Sequence, residues 1–139
     1  MRKHFFGLIT VIILATVLKY FVGLYFVTDV SMEPTLNKYQ PVIVDRKAEP
    51  QINDIVLAQT KYGTTIKRLT GKPGDKIRCR NYIISVNGEE IENFAHGNYF
   101  SDWEYDLKEN EFFIIGDNLD YSYDSRFIGA VNEIIGVIK

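Results

Sequence analysis

An apolar run near the N-terminus constrains this chain more than any other feature of its 139-residue sequence. The run extends from Phe5 to Val27, and its only charged residue is Lys19. A helix of this length spans roughly 34 Å, which slightly exceeds the ~30 Å hydrocarbon core of a bilayer. The pattern therefore predicts one N-terminal transmembrane helix.

The basic residues Arg2 and Lys3 precede the run, and such residues mark the cytoplasmic end of a membrane segment. The sequence thus predicts a cytoplasmic N-terminus (1–4), a transmembrane anchor (5–27) and an extracytoplasmic β-rich domain (28–139). A cleavable signal peptide is the alternative, but its apolar region would be too long and no small-x-small cleavage site precedes the serine at position 31. A buried core helix is disfavoured because the segment is apolar on all sides.

Several short apolar runs follow the anchor, and turn signals separate them. The expected strands lie at 40–46, 54–60, 63–70, 75–86, 111–118 and 133–139. Asn87-Gly88 is a strong hairpin signal, and residues 95–110 are expected to form a long surface loop. The frequent Tyr, Phe, Val and Ile residues favour strands. We therefore expect a mainly β fold, built from folded-over antiparallel sheets or a partly open barrel.

Composition excludes several classes of function. The net charge is −2 and no basic face is apparent, which argues against a nucleic-acid-binding protein. With one cysteine and two histidines, the chain has no intrachain disulfide and no pattern for a zinc site. Cys79 is interpreted as an ordinary strand residue rather than a reactive thiol, because no histidine lies near it in sequence. His4 is expected at the cytoplasmic membrane face, and His96 is interpreted as a loop residue rather than a member of a catalytic triad.

Ser31 is the first candidate for chemistry, because it stands in the turn-like stretch VSMEPTL directly after the apolar run. These residue types are common in turns, so the stretch could serve only to turn the chain away from a membrane. If Ser31 is instead a nucleophile, it needs a base, and Lys67 is the candidate. Lys67 shares a strand face with Leu69, and desolvation there would lower the pKa of the amine until it can accept a proton. An ordinary solvated strand lysine is the alternative.

The polar loop GDNLDYSYDSR (116–126) follows the apolar run FFII near the C-terminus. Its Asp, Asn, Ser and Gly residues could form a self-bonded turn and nothing more. Alternatively, loops of this kind hold catalytic groups in place through hydrogen bonds.

Together these segments resemble the bacterial type I signal peptidases, membrane-bound serine proteases that use a serine and a lysine to remove signal peptides from secreted preproteins. The matching segments, in order, are SMEPTL (31–36), NDIVLAQ (53–59), IKRLTGKPGD (66–75) and GDNLDYSYDSRFIGAV (116–131). The resemblance covers almost the whole chain. It implies a catalytic domain of coiled β-sheets on the extracytoplasmic face of the cell membrane. Signal peptides and the lipid bilayer are the implied partners, without a cofactor, a metal or nucleic acid.

The resemblance also implies a role for each matching residue. Ser31 is expected to be the nucleophile, with its backbone N–H as one oxyanion donor. Lys67 is expected to be the general base, and Ser122 a hydrogen-bond partner that orients the lysine. The residues expected to shape the site are Asp117, Asp124, Arg126, Gly116 and Arg68, the last as an ion-pair partner of Asp117. Substrates of the family carry small side chains at the first and third positions before the cut, so shallow apolar pockets are expected beside Ser31.

Asp29 departs from the family pattern, which has Ser or Gly two positions before the nucleophile. A serine there donates a hydrogen bond to the oxyanion, whereas an ionised carboxylate cannot donate and would repel it. Either Asp29 points away, or Thr28 or another donor serves, or activity is low. The alternative function is therefore a catalytically weak or inactive membrane-tethered homologue that binds signal peptides or another peptidase.

Two further alternatives are disfavoured. A cytosolic self-cleaving repressor-type protease shares the fold and the Ser/Lys pair, but the apolar N-terminal run argues against it. A structural membrane protein would have no need for the three motifs.

Overall fold

The computed structural model describes residues 2–81, 83–91 and 102–139. Within these residues the chain forms two helices and ten strands, with a short 3-10 turn at Leu119–Tyr121. The helices are α1 (Arg2–Phe21) and α2 (Ser125–Ile128). The strands are β1 (Val22–Phe26), β2 (Pro41–Asp45), β3 (Ile55–Thr60), β4 (Gly63–Gly71), β5 (Lys76–Arg80), β6 (Ile83–Val86), β7 (Glu89–Glu90), β8 (Trp103–Asp106), β9 (Phe113–Ile115) and β10 (Glu133–Ile138).

The described strands form two antiparallel sheets. The larger sheet has six strands in the order β1-β2-β10-β3-β4-β9, and the smaller has four in the order β7-β6-β5-β8. The chain passes from the larger sheet to the smaller one between β4 and β5, and it returns between β8 and β9. The mainly β fold of antiparallel sheets expected from the sequence is therefore confirmed.

The Asn87-Gly88 hairpin is confirmed as well. Val86 pairs with Glu89 across the turn, and Asn87 and Gly88 have φ values of 54° and 88°. Positive φ at both central residues is what the tightest hairpin turn requires, and Asn and Gly adopt it at the lowest cost.

Two strand predictions need correction. The run 75–86 is two strands rather than one, because the chain turns at Asn81, where φ is 49°. The expected loop 95–110 contains β8, whose Tyr105 pairs with Ile77 of β5. Aromatic and charged residues alternate in β8, and the charged residues are on the exposed side. The strand therefore contains no continuous apolar run from which it could be predicted. His96 lies outside the described residues, so the interpretation of that residue stays a prediction.

The expected anchor over 5–27 is also corrected at its C-terminal end. The helix ends at Phe21, and the next five residues form β1, which pairs with β2 from Val22 to Phe26. Apolar β-branched and aromatic residues suit a strand as well as a membrane helix, so hydropathy alone could not locate this boundary. None of the helices in the described part of the chain is both long and apolar enough to cross a membrane.

Buried side chains fix the elements that matter for the site. Met32 and Leu36 pack with Val27 and Val42 beneath the turn that follows β1. A second cluster, which includes Leu69 and residues of β3, β9 and β10, lies on the larger sheet. The core of the smaller sheet contains Cys79, which is fully buried, in agreement with its interpretation as a strand residue.

Candidate active site

Ser31 lies in a turn between β1 and β2. The N–H of Glu33 donates to the carbonyl of Val30 at 3.1 Å, and the N–H of Leu36 donates to the carbonyl of Met32 at 2.9 Å. Met32 is almost completely buried, so the residue after Ser31 anchors the turn in the core. The serine itself is only 3% exposed. The backbone hydrogen bonds of the turn and the buried Met32 side chain therefore hold Ser31 in place.

Lys67 lies in the middle of β4, where it pairs with Val56 of β3. The residue is 2% exposed, and its Nζ donates a hydrogen bond to Ser31 Oγ at 2.7 Å. The solvated-lysine alternative is therefore wrong. Alternation along the strand places Lys67 on the same face as the buried Leu69, as the sequence predicted.

Two further hydrogen bonds hold the lysine. Its Nζ donates to Thr65 Oγ1 at 2.9 Å and to the carbonyl of Ile66 at 3.0 Å. Thr65 was not among the residues singled out from the sequence. The sequence nevertheless indicated Thr65, because a residue two positions before Lys67 in a strand lies on the same face as Lys67.

Burial lowers the pKa of the Lys67 ammonium, and the positive charge of Arg126 acts in the same direction. The carboxylates of Asp29 and Asp124 oppose this effect, since a nearby negative charge favours the protonated amine. Desolvation is the largest of these influences, so the net shift is downward. A lowered pKa is the property that a lysine needs to act as a base.

Asp124 is the centre of the loop that follows β9. This carboxylate is fully buried and accepts hydrogen bonds from the N–H of Gly116 at 2.9 Å and from the hydroxyl of Ser122 at 2.5 Å. Arg126 adds an ion pair, with its Nε 2.7 Å from Asp124 Oδ1. The loop is thus a rigid hydrogen-bonded unit, as its catalytic interpretation requires.

The same loop is tied to the serine turn. The N–H of Asn118 donates to the carbonyl of Ser31 at 2.9 Å, and the Asn118 side-chain amide donates to the carbonyl of Val30 at 3.0 Å. A Cβ on Gly116 would lie 2.6 Å from the Ser31 carbonyl oxygen and would also clash with the Ser122 side chain. Only glycine lets the loop pass this close, in agreement with the role expected for Gly116. Asn118 was not singled out from the sequence, although it stands within the Gly-Asp-Asn motif.

Arg68 and Asp117 form the ion pair that the resemblance implied. Arg68 Nε donates to one carboxylate oxygen of Asp117 at 2.8 Å, and Nη2 donates to the other at 2.6 Å. Arg68 points to the opposite face of β4 from Lys67, and its Nη1 donates to the carbonyl of Asn53. The pair therefore joins β4 to the end of β9 behind the serine and lysine.

The hydrogen bond expected between Ser122 and Lys67 is not formed, so this prediction is corrected. The Ser122 hydroxyl donates to Asp124, whereas the Nζ of Lys67 donates to Ser31, Thr65 and the Ile66 carbonyl. The reason is that the three N–H donors of the Lys67 ammonium are already used by these other oxygens, while the Ser122 hydroxyl donates its proton to the buried Asp124 carboxylate. Ser122 still lies beside the serine turn, where it flanks Gly116.

Asp29 does not point away from the site. Its Oδ1 accepts a hydrogen bond of 2.8 Å from the backbone N–H of Ser31. Partial burial alone would raise the pKa of this carboxyl group. Hydrogen bonds from the Ser31 side chain and N–H, together with the charges of Lys67 and Lys38, lower the pKa below its usual value. An ionised carboxylate therefore occupies the donor that was expected to stabilise an oxyanion.

A cavity of about 120 Å³ lies beside these residues. Asp29, Met32 and Thr65 contribute to its walls. The remaining lining residues are mostly apolar, namely Tyr25, Phe26, Val27, Thr28, Leu57, Thr64 and Ile66. Among the residues that the structure describes, no group of three or more His, Cys, Asp or Glu side chains could hold a metal ion.

A buried hydroxyl that is hydrogen-bonded to a buried amine of lowered pKa is an arrangement of a nucleophile with its base. The fold and this pair therefore define the class as a mainly β protein with the site of a serine hydrolase. The family model described as signal peptidase, peptidase S26, matches residues 2–139, and the chain belongs to this family.

Individual relatives agree with this assignment. The chain is 28% identical to signal peptidase I V of Bacillus subtilis, over all of this chain and 98% of the relative. It is also 28% identical to signal peptidase IB of Staphylococcus aureus, over all of this chain and 90% of that protein. The crystal structure of a signal peptidase I from Enterococcus faecalis superposes with a TM-score of 0.55 at 26% identity, covering 66% of this chain and 98% of that one. The resemblance stated from the sequence is thereby confirmed.

Proposed function

We propose that this protein is a type I signal peptidase, a serine endopeptidase that removes N-terminal signal peptides after small-x-small sites. The observation that carries the proposal is the 2.7 Å hydrogen bond between Lys67 Nζ and Ser31 Oγ, which joins two buried groups. A structural role alone gives no reason to bury a lysine amine against a serine without an ion-pair partner, because burial of a charged lysine is costly.

The catalytic steps follow from this geometry. Neutral Lys67 removes the proton from the Ser31 hydroxyl, and the oxygen attacks the carbonyl carbon of the scissile bond. The protonated Lys67 then gives its proton to the leaving amine, and the signal-peptide segment remains as an ester on Ser31. A water molecule, deprotonated by the same lysine, attacks this ester, and the lysine passes that proton to the Ser31 oxygen as the ester bond breaks and the second product leaves. One buried amine can serve both half-reactions because it alternates between base and acid.

The cavity beside the pair supports the proposed substrate class. Its volume of about 120 Å³ suits small side chains, and most of its lining is apolar. A substrate whose residue next to the cut occupies this cavity would bring its carbonyl close to Ser31. Signal peptides that end in small-x-small sequences meet this requirement.

We also propose that the protein acts at a membrane surface. The described apolar side chains of α1 that are largely exposed include Leu8, Val11, Ile12 and Ile13, and basic residues precede them in the chain. Leu24 and Phe26 of β1 extend the exposed apolar surface from the helix to the strand that leads to Ser31. Flotation of the full chain with phospholipid vesicles tests this, and recovery only in the vesicle-free fraction would refute it.

A second candidate function is a weak or inactive homologue that binds signal peptides or another peptidase. One observation favours it, namely the hydrogen bond from the Ser31 N–H to Asp29. A developing oxyanion needs that donor, and the loss of one such donor costs roughly 10²–10³ in kcat. Efficient turnover therefore requires that Asp29 leaves the Ser31 N–H when substrate binds.

The two candidates are separated by one experiment. Detergent-solubilised full chain is incubated with a synthetic signal-peptide substrate that has an Ala-x-Ala site, beside Ser31→Ala and Lys67→Ala. We expect cleavage by the parent and a loss of at least about 10³-fold in each variant, because the nucleophile and its base act as a unit. Cleavage that persists in both variants would refute the proposed pair. A folded parent that binds the peptide without cleaving it would establish the second function.

A further inference from the structure

Three oxygen atoms surround the amine of Lys67. They are Ser31 Oγ at 2.7 Å, Thr65 Oγ1 at 2.9 Å and the Ile66 carbonyl oxygen at 3.0 Å. A protonated lysine has three N–H donors, so each of these oxygens can accept one of them. The resting ammonium group is therefore fully hydrogen-bonded despite its burial.

The arrangement has a second consequence once the amine is neutral. A neutral amine keeps two N–H donors and gains one lone pair. If Thr65 and the Ile66 carbonyl accept the two N–H groups, the lone pair points at the remaining partner, which is Ser31 Oγ. That is the orientation in which the lysine can remove the serine proton.

Thr65 is well placed to hold this orientation. It lies two residues before Lys67 on the same face of β4, where it pairs with Ala58 of β3. Threonine is branched at Cβ, so few χ1 rotamers are open to it, and its hydroxyl has a defined position. The Ser122 hydroxyl, which the resemblance implied for this task, donates to Asp124, and the hydrogen bonds of Lys67 Nζ go to Ser31, Thr65 and the Ile66 carbonyl instead.

From these contacts we propose that Thr65 is a positioning residue, whose hydroxyl directs the lone pair of Lys67 at Ser31 during proton transfer. The proposal rests on the proposed function, since it assigns a role within the Ser31 and Lys67 pair. It adds a residue that the family motifs in this sequence did not indicate. Thr65 acts through the lysine, so its loss must change the behaviour of the lysine and not only the amount of folded protein.

Three charged groups face Lys67 from the surrounding elements. Asp29 comes from the turn after β1, and Asp124 and Arg126 come from the loop after β9. All three remain in a Thr65 variant. A change in the titration of Lys67 in such a variant is therefore assigned to Thr65. A hydroxyl that accepts from the ammonium favours the charged form, so its removal lowers the pKa of Lys67 further.

The test compares Thr65→Val and Thr65→Ser with the parent in the full chain. Thr70→Val is the matched control, because Thr70 is a buried threonine of the same strand whose hydroxyl donates to the Arg68 carbonyl rather than contacting Lys67. We measure kcat and KM for an Ala-x-Ala peptide across a pH series. For Thr65→Val we expect a fall in kcat of about tenfold at the plateau, with a smaller change in KM. The acid limb of the kcat profile should move to lower pH, because less base is needed to deprotonate the lysine.

Thr65→Ser should restore most of the rate, and Thr70→Val should leave the position of the acid limb unchanged. The ¹³Cε chemical shift of Lys67, followed against pH, gives the same pKa without any turnover and also covers a variant that is too slow to assay. An active parent whose Thr65→Val variant keeps both its kcat and its Lys67 titration would overturn the proposal. An inactive parent would instead count against the proposed function, and the chemical-shift titration would still decide whether Thr65 acts on Lys67.

Discussion

The two sides of Ser31 are built differently. On the side of the base, the Ser31 hydroxyl faces an amine that has three hydrogen-bond partners and a pKa lowered by burial. On the side where an oxyanion would form, the Ser31 N–H is already bound by the carboxylate of Asp29. The base needs only to lose a proton in order to act, whereas the Ser31 N–H becomes available as an oxyanion donor only if Asp29 moves.

The nucleophile with its base and the site of the oxyanion are thus not preorganised to the same degree. The base side depends on buried groups from β4 and from the loop after β9, which hold one another in place. The oxyanion side depends on a single side chain in a turn, and Asp29 is more exposed than Lys67 and Asp124. Substitutions within the buried groups therefore act on the base side, whereas Asp29 acts on both sides because its charge also favours the ammonium form of Lys67.

The largest effect is expected from Asp124→Asn, which breaks the support of the base side. Asn has nearly the same shape as Asp, but it removes the negative charge that forms the ion pair with the buried guanidinium of Arg126. The loss of one partner of a buried ion pair costs roughly 3–5 kcal/mol. We expect a fall of that size in the free energy of unfolding, measured by urea titration. Asp120→Asn, an exposed carboxylate on the same loop, is the control and should change stability little. Equal stability of both variants would show that the ion pair does not support the loop.

A smaller loss is expected from Gly116→Ala, which acts where the loop meets the serine turn. The new Cβ would lie 2.6 Å from the Ser31 carbonyl oxygen, so either the loop or the turn must shift. Forced repacking of this kind costs roughly 1–3 kcal/mol, and the shift should also lower kcat because it displaces Ser31. Gly7→Ala is the control, since a Cβ at Gly7 would meet nothing within 4 Å. A Gly116→Ala protein with unchanged stability and rate would contradict the close approach of these two segments.

Much of the base side could be predicted from the sequence. Turn signals and apolar runs located β2, β3, β4 and β10, and strand alternation placed Lys67 on a buried face. The same alternation would have found Thr65, had it been applied in both directions along the strand. The meeting of Ser31 with Lys67 was different, because strand spacing cannot bring together residues that are distant in sequence. Lys67 was the candidate base because of its strand face, and the family resemblance implied the same pair.

The oxyanion side could not be predicted in the same way. The identity of Asp29 indicated a problem, but its rotamer depends on the turn that presents the Ser31 N–H, and a sequence does not specify that geometry. The prediction of where α1 ends was wrong for a related reason. Hydropathy continues unchanged from Phe21 into β1, and only the pairing with β2 decides that the residues after Phe21 form a strand.

Two variants of Asp29 separate the effect of its hydrogen bond to the Ser31 N–H from the effect of its negative charge. Asp29→Asn removes the charge but keeps a side-chain oxygen that can accept from the Ser31 N–H. The carboxylate favours the ammonium form of Lys67, so its neutralisation lowers the pKa of the lysine. The active form is the neutral amine, and the acid limb of the kcat profile should therefore move to lower pH.

Asp29→Gly removes the charge and also frees the Ser31 N–H. It should show the same shift of the acid limb and, in addition, a rise of up to about 10²-fold in the plateau kcat, the lower end of the effect of one oxyanion donor. Glu33→Gln removes a carboxylate from the same turn without touching the Ser31 N–H, and it should leave the acid limb in place. A fall in kcat for Asp29→Gly would reverse the interpretation. Asp29 would then be needed to hold the Ser31 turn, and the oxyanion would have to be stabilised by other donors.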